Sequence, residues 1–83
     1  MTDDIINIIL FAMLQNEGDL ALQEINCKTL ANLSVDRRVC DLINDIGGTD
    51  IVTKALAVFP RSQNLTVDCL CYLENVARTP DKG

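Results

Sequence analysis

Residues 22–34 read LQEINCKTLANLS, and residues 65–77 read LTVDCLCYLENVA. At an offset of 43, Leu22 meets Leu65, Leu30 meets Leu73, Asn32 meets Asn75 and Leu33 meets Val76. The segments upstream pair as well. Asp4-Ile5-Ile6, opening DIINIILFAM, lies over Asp50-Ile51-Val52, opening DIVTKALAVF, at an offset of 46. The three-residue difference falls in the connection between the segments, where repeated units tolerate a change of length. Self-similarity at such a period marks a chain built from stacked supersecondary units.

Both units read as helices. A first helix is expected over residues 3–15, capped by Thr2, with Asp3 and Asp4 placed to complement the helix dipole. Ile5, Ile6, Ile8, Ile9, Leu10, Phe11, Met13 and Leu14 make it apolar on nearly every side, so it expects cover on more than one face. Asn16-Glu17-Gly18-Asp19 breaks the pattern, and Asp19 can cap a second helix over 20–34, whose Leu22, Ile25, Cys27, Thr29, Leu30 and Leu33 recur mostly at spacings of three and four. A third, shorter helix over 36–46 carries Val39, Leu42, Ile43 and Ile46 on one stripe. Gly47-Gly48 ends it, and Gly47 suits the left-handed position that follows a helix. Thr49 is expected to cap a fourth helix over 50–59, stopped by Pro60. A fifth, over 65–78, follows Ser62 or Asn64 as cap and carries Leu65, Cys69, Leu70, Tyr72, Leu73 and Val76. No segment alternates as a strand does. The expected fold is all-α, a single domain over 1–83 with five helices.

A period near 43 made of a short helix, a Gly-Gly break and two longer helices resembles the armadillo repeat. The resemblance rests on RRVCDLINDIGGTDIVTKAL (37–56) for the first two helices of a repeat. For the third it rests on LANLS (30–34) and LENVA (73–77), where the family has a Leu-x-Asn-Leu-like signature. HEAT repeats have a similar length but usually a pair of helices, and the separate short helix before Gly47 favours armadillo. The resemblance implies a fragment of a right-handed α-α superhelix, a solenoid. Residues 1–34 would be a partial repeat (helices two and three) and 35–79 a complete one.

It also implies a site. In this family an asparagine at this place in the third helix lies on a concave face and hydrogen-bonds the backbone of an extended peptide. A carboxamide suits that task because it offers donor and acceptor together. Carried onto this chain, the partner-binding residues are Asn32 and Asn75, with Lys28 and Cys71 four residues earlier on the same helical faces. Leu30, Leu33, Leu73 and Val76 are expected to point to the core instead, leaving the asparagines free of any packing duty. Family members that read nuclear localisation signals place a tryptophan four residues before the asparagine. Lys28 and Cys71 stand there, and the chain has no tryptophan, so that specificity is not expected. The implied partner is another protein or peptide, and Glu24, Asp68 and Glu74 on the same helices suit a basic one.

Other functions find little footing. The net charge is −5, and Arg37-Arg38 is the only adjacent basic pair, whereas a nucleic-acid surface needs clustered positive charge. The longest apolar stretch, 5–14, is interrupted by Asn7 and is far shorter than the ~18 residues of a membrane helix. Asp3 and Asp4 before it are the wrong flank for a secretion signal. There is no histidine, so Ser-His and Cys-His hydrolase chemistry is excluded, and no phosphate-binding glycine motif is present. No enzymatic role and no cofactor is expected. Cys27, Cys40, Cys69 and Cys71 contain no C-x-x-C, and on a helix Cys69 and Cys71 point about 200° apart, so they cannot share a metal. Buried, reduced thiols in the cytoplasm or nucleus are the expectation. Asn44, Asp45 and Asp50 flank the glycines without calcium-loop spacing, and capping accounts for them better. The glycosylation sequons at Asn32 and Asn64 read as coincidence, the first lying inside a helix.

Fewer than two repeats leave the first helix without a preceding partner, and solenoids usually need about three. Ile5, Ile9, Phe11 and Met13 cannot all face one neighbouring hairpin. Self-association through these four residues, by packing or exchange of the first helix, is expected.

Overall fold

The computed structural model describes residues 2–78, which form five α-helices: α1 (Thr2–Gln15), α2 (Leu20–Leu33), α3 (Arg37–Asp45), α4 (Gly48–Val58) and α5 (Gln63–Ala77). No strand occurs among the described residues. The expected all-α class and helix count are therefore met, with boundaries shifted by one or two residues. Residue 79, the last of the expected complete repeat, lies outside the described residues.

The ends of the helices follow from their punctuation. Asp19 accepts from the Leu22 amide at 3.1 Å, Asp36 from the Arg38 amide at 2.9 Å and Ser62 from the Leu65 amide at 3.1 Å. Each satisfies an orphan donor of a first turn. Thr2 belongs to α1 itself rather than preceding it. Thr49 does not cap α4: the helix already begins at Gly48, and the Thr49 hydroxyl bonds the Asn44 side chain and the Tyr72 phenol instead. Gly47 takes the left-handed conformation, φ +94°, which costs other residues about 1–2 kcal/mol. Gly48 is required for a different reason. A β-carbon there would collide with the Ile43 side chain and lie 2.7 Å from the Ile43 carbonyl. The Gly-Gly pair thus lets α4 start directly against the last turn of α3.

The core gathers one stripe from each helix: Ile6, Leu10 and Met13 of α1, Cys27 and Leu30 of α2, Ile43 of α3, Val52 and Ala55 of α4, and Leu65, Cys69 and Tyr72 of α5. Spacings of three and four put each set on one helical face. The α2–α5 pair is the most extensive helix contact. Along it, Glu24 meets Ser62, Cys27 meets Cys69, and Ala31 and Ser34 meet Asn75. Partners advance together along both helices, so α2 and α5 run parallel, with the two halves of the sequence repeat side by side.

Two polar side chains, one buried and one half-buried, serve backbone ends. The Gln23 carboxamide, 2% exposed, donates to the carbonyls of Met13 (3.1 Å) and Asn16 (2.8 Å), closing the C-terminus of α1 from α2. Arg37, opening α3, donates to the carbonyls of Asn75 and Arg78 at the end of α5, where a cation also complements the helix dipole. Replacing Gly48 with alanine should lower stability by about 1–3 kcal/mol, the usual cost of overpacking. A urea titration measures it, and an unchanged midpoint would refute the close-approach argument.

Candidate interaction surfaces

The sequence-predicted partner-binding residues divide. Lys28 and Asn32 on α2 and Cys71 on α5 are exposed, but Asn75 is half-buried. Its carboxamide nitrogen donates to the Ser34 hydroxyl at 2.8 Å and approaches the Ala31 carbonyl at 3.4 Å. Ser34 is itself 3% exposed and donates to Ala31 at 2.8 Å. The expectation that neither asparagine holds anything inside is therefore corrected for Asn75, which ties α5 to the end of α2. Asn32 is exposed, with no counterpart helix to reach among the described residues. The physical reason is position in the stack rather than residue type: the same asparagine is internal where a preceding hairpin exists and free where none does.

Between the first halves of α2 and α5 lies a shallow groove of about 330 Å³, lined by Glu24, Ile25, Lys28, Asn64, Val67 and Asp68. Ile25 and Val67 are 66% and 58% exposed, so its apolar floor is open. Glu24 is pinned there by the Ser62 hydroxyl at 2.8 Å. Two carboxylates against one ammonium leave the groove acidic.

The predicted self-association set also divides. Ile5 (55%) and Phe11 (64%) are exposed, Ile9 is half-buried, and Met13 is 1% exposed. Met13 is corrected to a core residue, because it shares a helical stripe with Ile6 and Leu10. Sequence reasoning passed over Ile8 (68%) and Leu14 (45%). Residues 5, 8, 11 and 14 recur at steps of three, winding around the helix away from the 6, 10, 13 stripe, and that spacing was the available signal. Ile8, Phe11 and Leu14 continue into Ile46 and Ile51, lining an open apolar depression of about 480 Å³.

The thiols offer little chemistry. Cys27, Cys40 and Cys69 are buried and Cys71 exposed, all free. Cys69 and Cys71 indeed lie on different faces, one in the core and one in solvent. The Cys69 contact (Sγ to Sγ 3.8 Å) and burial both push the Cys27 thiol above its ordinary pKa, which keeps it protonated and unreactive. Burial likewise raises Cys40, against the pull of Arg37, and raises the Tyr72 phenol against the effect of its hydrogen bond with Thr49.

No family model matches the chain, and no curated protein or solved structure matches it either. Among the described residues, no helix is long and apolar enough to cross a membrane. The unequal burial of the two asparagines gives a direct test. Asn75→Ala should destabilise by about 0.5–1.5 kcal/mol, a typical hydrogen-bond contribution, whereas Asn32→Ala should stay within about 0.5 kcal/mol of the parent. Equal losses in paired urea titrations would contradict the assigned bonds.

Proposed function

We propose that this chain is a protein-interaction module of the armadillo type, whose α2–α5 face binds an extended or helical segment of another protein. The reading rests on one observation above others: the two repeat-related helices lie side by side and parallel, in register, with Lys28, Asn32 and Cys71 facing solvent. A segment laid across both helices would meet the Asn32 carboxamide and the remaining Oδ1 of Asn75, each able to pair with a peptide group. Glu24 and Asp68 favour a basic side chain beside that backbone. Such a function needs neither cofactor nor catalytic group, and free thiols at Cys27, Cys40, Cys69 and Cys71 suit the cytoplasm or nucleus.

Self-association is a second reading, favoured by Ile5, Ile8 and Phe11, each more than half exposed on α1. Single exposed apolar residues are ordinary, but a contiguous set commonly marks a contact surface.

The groove is tested by capturing a partner and comparing variants. Asn75 is unsuitable because its loss alters the fold, so Asn32→Ala and Asp68→Lys are the informative changes. Each should weaken the captured complex by about 1–3 kcal/mol, and Asp68→Lys should also flatten its salt dependence. Undiminished binding by the double variant in titration calorimetry would remove the groove as the site.

A further inference from the structure

The two ends of the stack carry the two halves of the contact that joins its middle. At the internal junction, α2 presents Glu24, Cys27 and Ser34 to α5. The residues 43 positions later are Val67, Leu70 and Ala77, all exposed, with Leu70 at 55%, and covered by nothing among the described residues. On the other side of the junction, α4 presents Ile51, Lys54 and Ala55 to α1. Ile51 and Ala55 share a crevice with Met13 and Leu14, and Lys54 pairs with Glu17 at 2.6 Å. The residues 46 positions earlier are Ile5, Ile8 and Ile9, of which Ile5 and Ile8 are 55% and 68% exposed. Asn32 stands to this open end as Asn75 stands to the junction, unengaged where Asn75 bonds Ser34.

We infer that the occupant of the open α1–α2 end is a second copy of this chain, bound head to tail through its α5 end. The displacement that carries the first hairpin onto the second would carry one whole copy onto the next. That operation sets Ile5 and Ile8 of one copy toward the α4–α5 end of another, with Asn26 beside Leu70 and Asn32 beside Glu74 and Ala77. The internal ion pair of Lys54 with Glu17 maps to Ile8 with Gln63, so that position carries no unpaired charge when the ends meet, and Glu74 falls beside the Asn32 carboxamide, a hydrogen-bond donor. Because donor and acceptor faces differ, each added copy exposes a fresh acceptor, and assembly is open rather than closing at a dimer. The inference deepens the second reading above and shares its repeat register, but it does not depend on the groove.

Sedimentation equilibrium from micromolar to millimolar concentration tests it, using the whole chain. The parent should rise continuously above the 9.1 kDa monomer as concentration increases. Ile5→Glu spoils one end and Leu70→Glu the other, because their repeat equivalents Ile51 and Cys27 are half-buried and buried at the internal junction, so each variant alone should remain a monomer. Mixed in equal amounts, they retain one intact end apiece and should form a 1:1 dimer that grows no further. Both glutamate changes are at exposed positions, and unshifted thermal melts by circular dichroism confirm folding. Ile5→Lys and Leu70→Lys replace any variant that melts early. A parent monomeric at every concentration overturns the inference, as does Leu70→Glu associating like the parent, the result of pairing α1 with α1. Mixtures that stay monomeric overturn it too. A monomeric chain that still captures its peptide partner would discard the stacking and spare the groove.

Discussion

The parallel packing of α2 on α5 is the contact on which the other elements depend. Cys27, Leu30, Leu65, Cys69 and Tyr72 are each fully excluded from solvent, and the seam they form joins residues about 40 positions apart. Small thiols suit it. Cys27 and Cys69 approach to 3.8 Å and let the helices lie close while filling the gap with polarisable, weakly polar atoms. Tyr72 fixes the next layer outward: its ring is buried, and its phenol reaches Thr49 in the first turn of α4. Gly48 leaves the room for that approach, since a β-carbon there would lie 3.2 Å from the Tyr72 oxygen as well as against Ile43. One seam therefore sets the position of α4 and, through Ile43, of α3.

Helix ends in this protein are closed by neighbours more than by themselves. Gln23 of α2 satisfies the end of α1, Arg37 of α3 satisfies the end of α5, and Asn75 of α5 bonds the end of α2. Each bond crosses between elements, so it rewards the docked arrangement rather than the isolated helix. That matters for a chain of 83 residues, where apolar burial alone leaves a narrow margin. It also explains why Gln23 and Ser34, both polar, sit among the most buried residues without an unsatisfied atom. Their partners are backbone carbonyls that would otherwise be orphaned.

Helix number and type were readable because the punctuation is local. Asp19, Gly47, Pro60 and Ser62 act on their immediate neighbours, and a capping or left-handed requirement is visible in four or five residues. The side-chain roles of Asn75 and Met13 were not readable that way. Asn32 and Asn75 occupy the same place in the same pattern, yet one is free and the other bonded, because only α5 has a helix before it in the stack. Met13 belongs to an apolar helix whose every face is a candidate core face, and the wheel position facing α2 and α4 is set by packing. Thr49 failed for a related reason: a threonine beside two glycines is a good local cap, but tertiary contact with Asn44 and Tyr72 claimed its hydroxyl.

The same logic separates surfaces that are open by necessity from those that are open by position. Lys28 and Cys71 are repeat equivalents, and Lys28 stays exposed beside α5 at the internal junction, so further stacking of this kind would leave such positions open. Ile5 and Leu70 differ. Their repeat equivalents, Ile51 and Cys27, are half-buried and buried at the internal junction. Lys54, the equivalent of Ile8, stays exposed there, so it is Ile5 and Leu70 that their place at the ends of the stack leaves in water. Mutual burial of such residues is favourable by roughly 25 cal/mol for each Å² of apolar surface removed, offset by the entropy of association. A groove between α2 and α5 that stays open on stacking and the proposed end-to-end contact are compatible in one molecule. Lengthening the stack would extend the row of α2-like and α5-like helices, and with it the surface available to an extended partner.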